Sequence, residues 1–182
     1  MDKLNIPIIL GSSRPKRESQ KVANYIFKIA KLNSQLDTKL FGVNDFSVPY
    51  DEDKSIPEFH KIVKEANAFI LVFPEYNHSF PGRLKSLLDT EFDEYKHKPA
   101  MLAGVSSGNF GGARAVEAII PVLERMGFIL SDITLYFPNI EETFDENGNP
   151  KDPKIKERVE KAIKDLIYIT QVIKEGKKKV QG

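Results

Sequence analysis

The chain predicts an α/β fold, a parallel sheet of five strands with helices on both faces. Apolar runs and helical-period segments alternate from end to end, which is the pattern of repeated βαβ units. The middle run AFILVF at Ala68–Phe73 is apolar throughout, as a strand covered on both faces must be. At 182 residues with no linker-like gap, low-complexity insert or repeat, the chain reads as a single domain over 1–182, with 175–182 as a flexible tail.

Each element has a local reason. Leu4–Leu10 is the first apolar run, and Pro7 within it must sit where no neighbour needs its missing N–H. Arg17–Lys31 carries Val22, Ile26, Ile29 and Ala30 at helical spacing. Thr38–Val43 is a short second strand, and Phe46–Pro57 is a polar, proline-bearing excursion. Pro57–Asn67 is helical, with Ser55 as its cap and Phe59, Ile62, Val63 and Ala66 facing inward. After the third strand, Pro81 takes a first helical position ahead of Leu84, Leu87 and Leu88. Pro99–Val105 is the fourth strand. Gly112–Met126 is a helix that Pro121 should kink, because the bond to Glu117 is lost, and Gly127 suits its end. Ile129–Phe137 is a fifth strand whose pattern breaks at Ser131 and Asp132. A turn-rich loop over Asn139–Pro153 leads to a last helix near Lys154–Lys174 that Gly176 should end.

Composition narrows the function. With 27 basic and 26 acidic residues the net charge is +1, so no field for a polyanion arises and nucleic acid is not an expected partner. Zero cysteines excludes thiol nucleophiles, cysteine metal sites and disulfides. His60, His78 and His97 are too widely spaced for a local metal motif, so no metal is expected. No apolar run approaches the roughly 20 residues of a membrane span and the N-terminus lacks a signal pattern, so the expectation is a cytoplasmic protein.

Three loops that a parallel sheet gathers at one edge hold the unusual residues: GSSRPKRES, PEYNHSFPGRLK and SSGNFGGAR. In the first, Ser12, Ser13 and Ser19 supply hydroxyls and Arg14 a planar fork, just before a helix N-terminus. That donor density suits one terminal phosphate; a polar turn with a capping serine fits the same residues. In the second, Pro74 and Pro81 stiffen a loop where Tyr76 offers a flat apolar face and Asn77 a paired donor and acceptor. A rigid surface turn is the plainer reading there. In the third, Gly108, Gly111 and Gly112 permit close backbone approach to a ligand, although the GxGxxG dinucleotide spacing is absent.

Together the three stretches resemble the NADPH-dependent FMN reductase family, over about Ile6–Phe137. The resemblance implies a flavodoxin-like fold with strand order 2-1-3-4-5, FMN as cofactor and NADPH or NADH as co-substrate. It implies that Ser12, Arg14, Ser19 and Gln20 hold the FMN phosphate, and that Pro74, Glu75, Tyr76 and Asn77 flank the isoalloxazine. Ser106, Ser107, Gly108, Gly111 and Gly112 would line its pyrimidine side. The first loop departs from the pattern in its added bulk at Pro15–Glu18, and many relatives carry Asn where Gln20 stands. The implied chemistry is ping-pong: hydride passes from nicotinamide to the flavin N5 and then to a small acceptor such as free flavin, a quinone, an azo compound or chromate. No side chain is then required as a catalytic acid or base.

Two alternatives belong beside it. Gly104–Gly108 formally matches the G-x-S-x-G of serine hydrolases, but no histidine follows Ser106, since the last is His97. An FMN electron carrier without NAD(P)H reactivity shares the fold, although the balanced charge argues against electrostatic docking on large redox partners. The resemblance further implies a homodimer or homotetramer. Leu87, Leu88, Phe92 and Tyr95 are residues for such an interface, the leucines equally for the core.

Overall fold

The computed structural model describes residues 3–48 and 55–181, so residues 49–54 of the proline-bearing excursion lie outside the described residues. Its strands are β1 (Leu4–Asn5), β2 (Ile8–Leu10), β3 (Leu36–Asp37), β4 (Leu40–Gly42), β5 (Phe69–Pro74), β6 (Pro99–Val105), β7 (Ile129–Leu130) and β8 (Leu135–Phe137). Every pairing between them is parallel. The expected first, second and fifth strands are each interrupted. β1 and β2 flank Ile6–Pro7, yet the ladder continues through them, with Ile6 N donating to Asp37 O and Pro7 O accepting from Ile70 N. Between β3 and β4 the buried Thr38 turns its hydroxyl onto Ile6 O at 2.8 Å. Ser131 and Asp132 separate β7 from β8, where the sequence pattern breaks. Taking each interrupted pair as one track, the order is 2-1-3-4-5, the flavodoxin-like arrangement.

The helices are α1 (Ser19–Lys31), α2 (Pro57–Glu65), α3 (Gly82–Leu88), α4 (Ala113–Arg125), α5 (Ile140–Thr143) and α6 (Lys154–Gln181). Strand periodicity divides the interior into two cores. Ile8, Leu10, Ile70, Val72, Met101 and Ala103 pack with residues of α1 and α6. Ile9, Phe69, Leu71, Phe73, Ala100 and Leu102 pack with residues of α2, α3 and α4. Because both faces are covered, β5 and β6 have no polar alternation.

Several boundaries differ from expectation. α1 starts at Ser19 rather than Arg17, because the Arg17 guanidinium folds back onto the loop, donating from Nη1 to Ser12 O at 2.8 Å. Ile56, not Ser55, caps α2, and the Ser55 hydroxyl instead donates to Glu91 at 2.6 Å. Pro81 is the cap of α3 in extended conformation rather than its first helical residue. Gly176 does not end the last helix, which runs on to Gln181. A glycine costs a helix only about 1 kcal/mol, and Glu175 stands four residues before Lys179 to offset part of it. Leu87, Leu88 and Tyr95 are core residues, which leaves Phe92, 40 % exposed, as the surface member of that set.

Pro121 lies inside α4 and on its exposed side. Pro121→Ala restores the donor to the helix ladder and is expected to stabilise the chain by about 1 kcal/mol or more. A melting curve checks it; an unchanged or lower Tm would mean that the helix depends on the proline's geometry. Among the described residues no helix is long and apolar enough to cross a membrane.

Candidate functional site

The carboxyl ends of β2, β5 and β6 open into the three loops, as the sheet order requires. They meet in two adjoining depressions of about 240 and 300 Å³ that share Glu75, Ser106 and Ser107. A depression of about 460 Å³ lies at the other end of the first strand track, between Leu4 and α6. None of the three loops reaches that larger space, so its size does not make it the site.

The smaller depression is lined by Ser12, Arg14, Ser19, Pro74, Glu75 and Tyr76, among others. The first and second loops are joined across it: Ser12 Oγ and the Tyr76 hydroxyl are 2.8 Å apart, and the Arg14 guanidinium lies 3.9 Å from the centre of the Tyr76 ring. Ser12 is fully buried, and its hydroxyl can accept from Tyr76 while still donating to a ligand. Ser19 is 2 % exposed at the start of α1, and its Oγ has no hydrogen-bond partner among the described residues. A buried hydroxyl left unpaired costs about 1–3 kcal/mol, so its presence at a helix N-terminus marks a place for an anion.

The larger depression is lined by Glu75, Asn77, His78, Ser106, Ser107, Gly108, Phe110 and Arg114. Asn77 and His78 both have positive φ, at 50° and 65°, between reciprocal backbone bonds from Tyr76 to Ser79. That is the two-residue hairpin turn in which both central residues are left-handed, a conformation Asn tolerates well. The Ser106 hydroxyl donates to Gly108 O at 2.8 Å, and Ser106 N donates to Phe137 O, so the third loop is held from within. The hydrolase reading falls here, because Ser106 follows β6 whereas His97 precedes it, at the strand's other end.

Three of the expected contact residues, Gln20, Gly111 and Gly112, line neither depression. The Gln20 amide is taken up by Arg17, whose Nε and Nη2 donate to Oε1 at 3.1 and 3.0 Å, and by Asn24. Gly111 and Gly112 are buried under the loop and line neither depression. Their positive φ values, 60° and 84°, let the loop press against its own strands: a Cβ on Gly112 would lie 2.5 Å from Val105 N. Of the three glycines only Gly108 faces open space.

Sequence reading also missed Arg114 and Phe110. Arg114 Nη1 is 3.2 Å from Glu75 Oε1, and the guanidinium sits 4.5 Å from the Phe110 ring centre. The Glu75 side chain is 10 % exposed and its Oε2 has no partner among the described residues. A first-turn arginine directly after a glycine-rich loop was the available signal.

The donor set fits a phosphorylated flat ring. An anion cradle lined in part by Tyr76 adjoins a second depression lined by Asn77, His78, Ser106–Gly108 and Arg114, and the buried Ser19 Oγ and Glu75 Oε2 have no partner among the described residues. Residues 4–142 match the NADPH-dependent FMN reductase family. The chain is 29% identical to a 2-hydroxy-1,4-benzoquinone reductase of Burkholderia sp over 80% of its own length and 85% of the relative's. It is 26% identical to an NAD(P)H-dependent FMN reductase of Saccharomyces cerevisiae, covering 68% and 75%. The solved flavoenzyme NAD(P)H:(acceptor) oxidoreductase FerB of Paracoccus denitrificans superposes with a TM-score of 0.76 at 22% identity, covering 92% and 98%. This chain belongs to the family of NADPH-dependent FMN reductases.

Proposed function

We propose that the protein is an FMN-dependent NAD(P)H oxidoreductase that reduces a small acceptor of the flavin or quinone kind, a single FMN-binding domain acting as a cytoplasmic homo-oligomer. The observation that carries the reading is the unpartnered, buried Ser19 hydroxyl beside Ser12 and Arg14, opening toward the Pro74–Tyr76 and Ser106–Gly108 walls. Ser12, Arg14 and Ser19 with the first turn of α1 would hold the FMN phosphate. Pro74, Glu75, Tyr76 and the backbone of Ser106–Gly108 would position the ring. Bound FMN supplies the electron relay between NAD(P)H and the acceptor. The protein's task is then positional. The hairpin turn keeps the Tyr76 backbone aimed, and the Glu75–Arg114 pair closes the side of the larger depression. Relatives named for quinone and FMN reduction support the acceptor class.

The test is a visible spectrum of the purified protein with FMN, followed by anaerobic NADPH and NADH. A flavin spectrum that bleaches with either nucleotide supports the reading. A bound flavin inert to both would make the chain an electron carrier, and no binding of FMN would remove both readings. Gln20→Ala is expected to change FMN affinity by less than about threefold, because its amide serves Arg17 rather than the cradle. A flavin fluorescence titration measures this, and a loss of tenfold would put Gln20 back among the phosphate ligands. Size-exclusion chromatography with light scattering tests the oligomer.

A further inference from the structure

A second cluster of ligating groups lies apart from the flavin site and is invisible in the sequence spacing. Glu91 follows α3, and its side chain is 3 % exposed. One carboxylate oxygen accepts from Ser55 at 2.6 Å, while the other lies 2.8 Å from His60 Nδ1 on α2. Glu94, in the 3-10 turn Asp93–Tyr95, brings a third ligand, so that one donor atom from each residue lies within 4.8 Å of the others. None of the three lines either depression of the site described above.

The electrostatics of this cluster call for a cation. A carboxylate as buried as Glu91 needs a compensating charge. Among the described residues, no lysine or arginine makes an ion pair with Glu91 or Glu94, and His60 is the basic group paired with Glu91. The carboxylate is also already oriented, since Ser55 holds one oxygen and leaves the other toward the imidazole, an arrangement typical of the outer shell of metal sites.

We propose that His60, Glu91 and Glu94 bind a divalent transition-metal ion. One imidazole and two carboxylates form a donor set suited to Zn²⁺, with water as a fourth ligand at about 2.0–2.2 Å like the others. The donor atoms already lie within 4.8 Å of one another, and Glu94 is half-buried rather than fixed in the core. Such an ion ties α2 to the segment 91–95, so it is a structural clip rather than a part of hydride transfer. The proposal is independent of the flavin reading.

The experiment is calorimetric titration of Zn²⁺ into the full chain after chelator treatment and dialysis, with melting curves at each ratio. One saturable site per chain is expected, with a Tm that rises with Zn²⁺. His60→Gln and Glu94→Gln should each weaken binding at least about tenfold and remove the Tm response. His97→Gln, which alters an exposed histidine outside the cluster, should bind as the parent does. Should His60→Gln fail to fold, Glu94→Gln alone decides, because that side chain is not in the core. The proposal is overturned by no saturable binding up to about 100 µM Zn²⁺. Parent-like affinity in Glu94→Gln, or loss of binding in His97→Gln, overturns it equally.

Discussion

Arg14→Ala is expected to weaken FMN binding by about 10- to 100-fold while leaving riboflavin binding within about threefold, since a charged hydrogen-bond pair contributes roughly 1.5–3 kcal/mol. The asymmetry is the point of the comparison. Arg14 has two attachments in the structure, the open cradle of the first loop and the face of Tyr76 at 3.9 Å. If its work is on phosphate, only the phosphorylated ligand suffers. Equal losses for FMN and riboflavin would show that Arg14 acts through Tyr76 and would take it out of the cradle. Ser19→Ala supplies the matching case with a second sign. Its hydroxyl is buried and unpartnered, so removing it should leave the ligand-free protein as stable as before or more so, while FMN binding falls. Stability and affinity moving in opposite directions is the signature of a side chain kept for a ligand.

Gly112→Ala is expected to destabilise the fold by about 3–5 kcal/mol, combining the strain of a left-handed residue with overpacking. Its φ is 84°, and the added Cβ would stand 2.5 Å from Val105 N and 2.9 Å from Gly104 C, backbone atoms of a central strand that cannot yield. For a chain of this size the shift in Tm should be on the order of 10 °C. Gly108→Ala, in open space, should stay within about 0.5 kcal/mol of the parent. If both variants melt alike, the role assigned to Gly112 in packing is wrong.

These glycines show where sequence reading reaches its end. Strands β5 and β6 were legible because both of their faces are buried and no other element of that length is apolar throughout. The site's edge was legible for a similar reason, since a parallel sheet sends alternate loops to one end. A glycine, however, announces freedom of the backbone without saying what presses against it. Gly111 and Gly112 read as a surface for a ligand, and their neighbours turn out to be Phe137 N and Val105 N. Gly176 read as a stop for the opposite reason: the preference for glycine after a helix is a small energy, and a helix of 28 residues absorbs it. Pairs such as Arg114 with Glu75, 39 residues apart, and His60 with Glu91, 31 apart, have no local periodicity to betray them. They exist because a helix, α4 or α2, is set against a loop that is remote from it in sequence.

The turn at Asn77–His78 divides form from identity. Its shape is set by the reciprocal main-chain bonds between Tyr76 and Ser79, and both of its own side chains are exposed beside the larger depression. Such a position can be rewritten cheaply. Glycine, asparagine or aspartate keep the left-handed backbone, whereas valine or isoleucine would break it. Within the permitted set, the chemistry lining the larger depression can change while the first loop stays where it is. On the proposed function, residues 77 and 78 are where this scaffold can drift, or be steered, toward new acceptors without refolding.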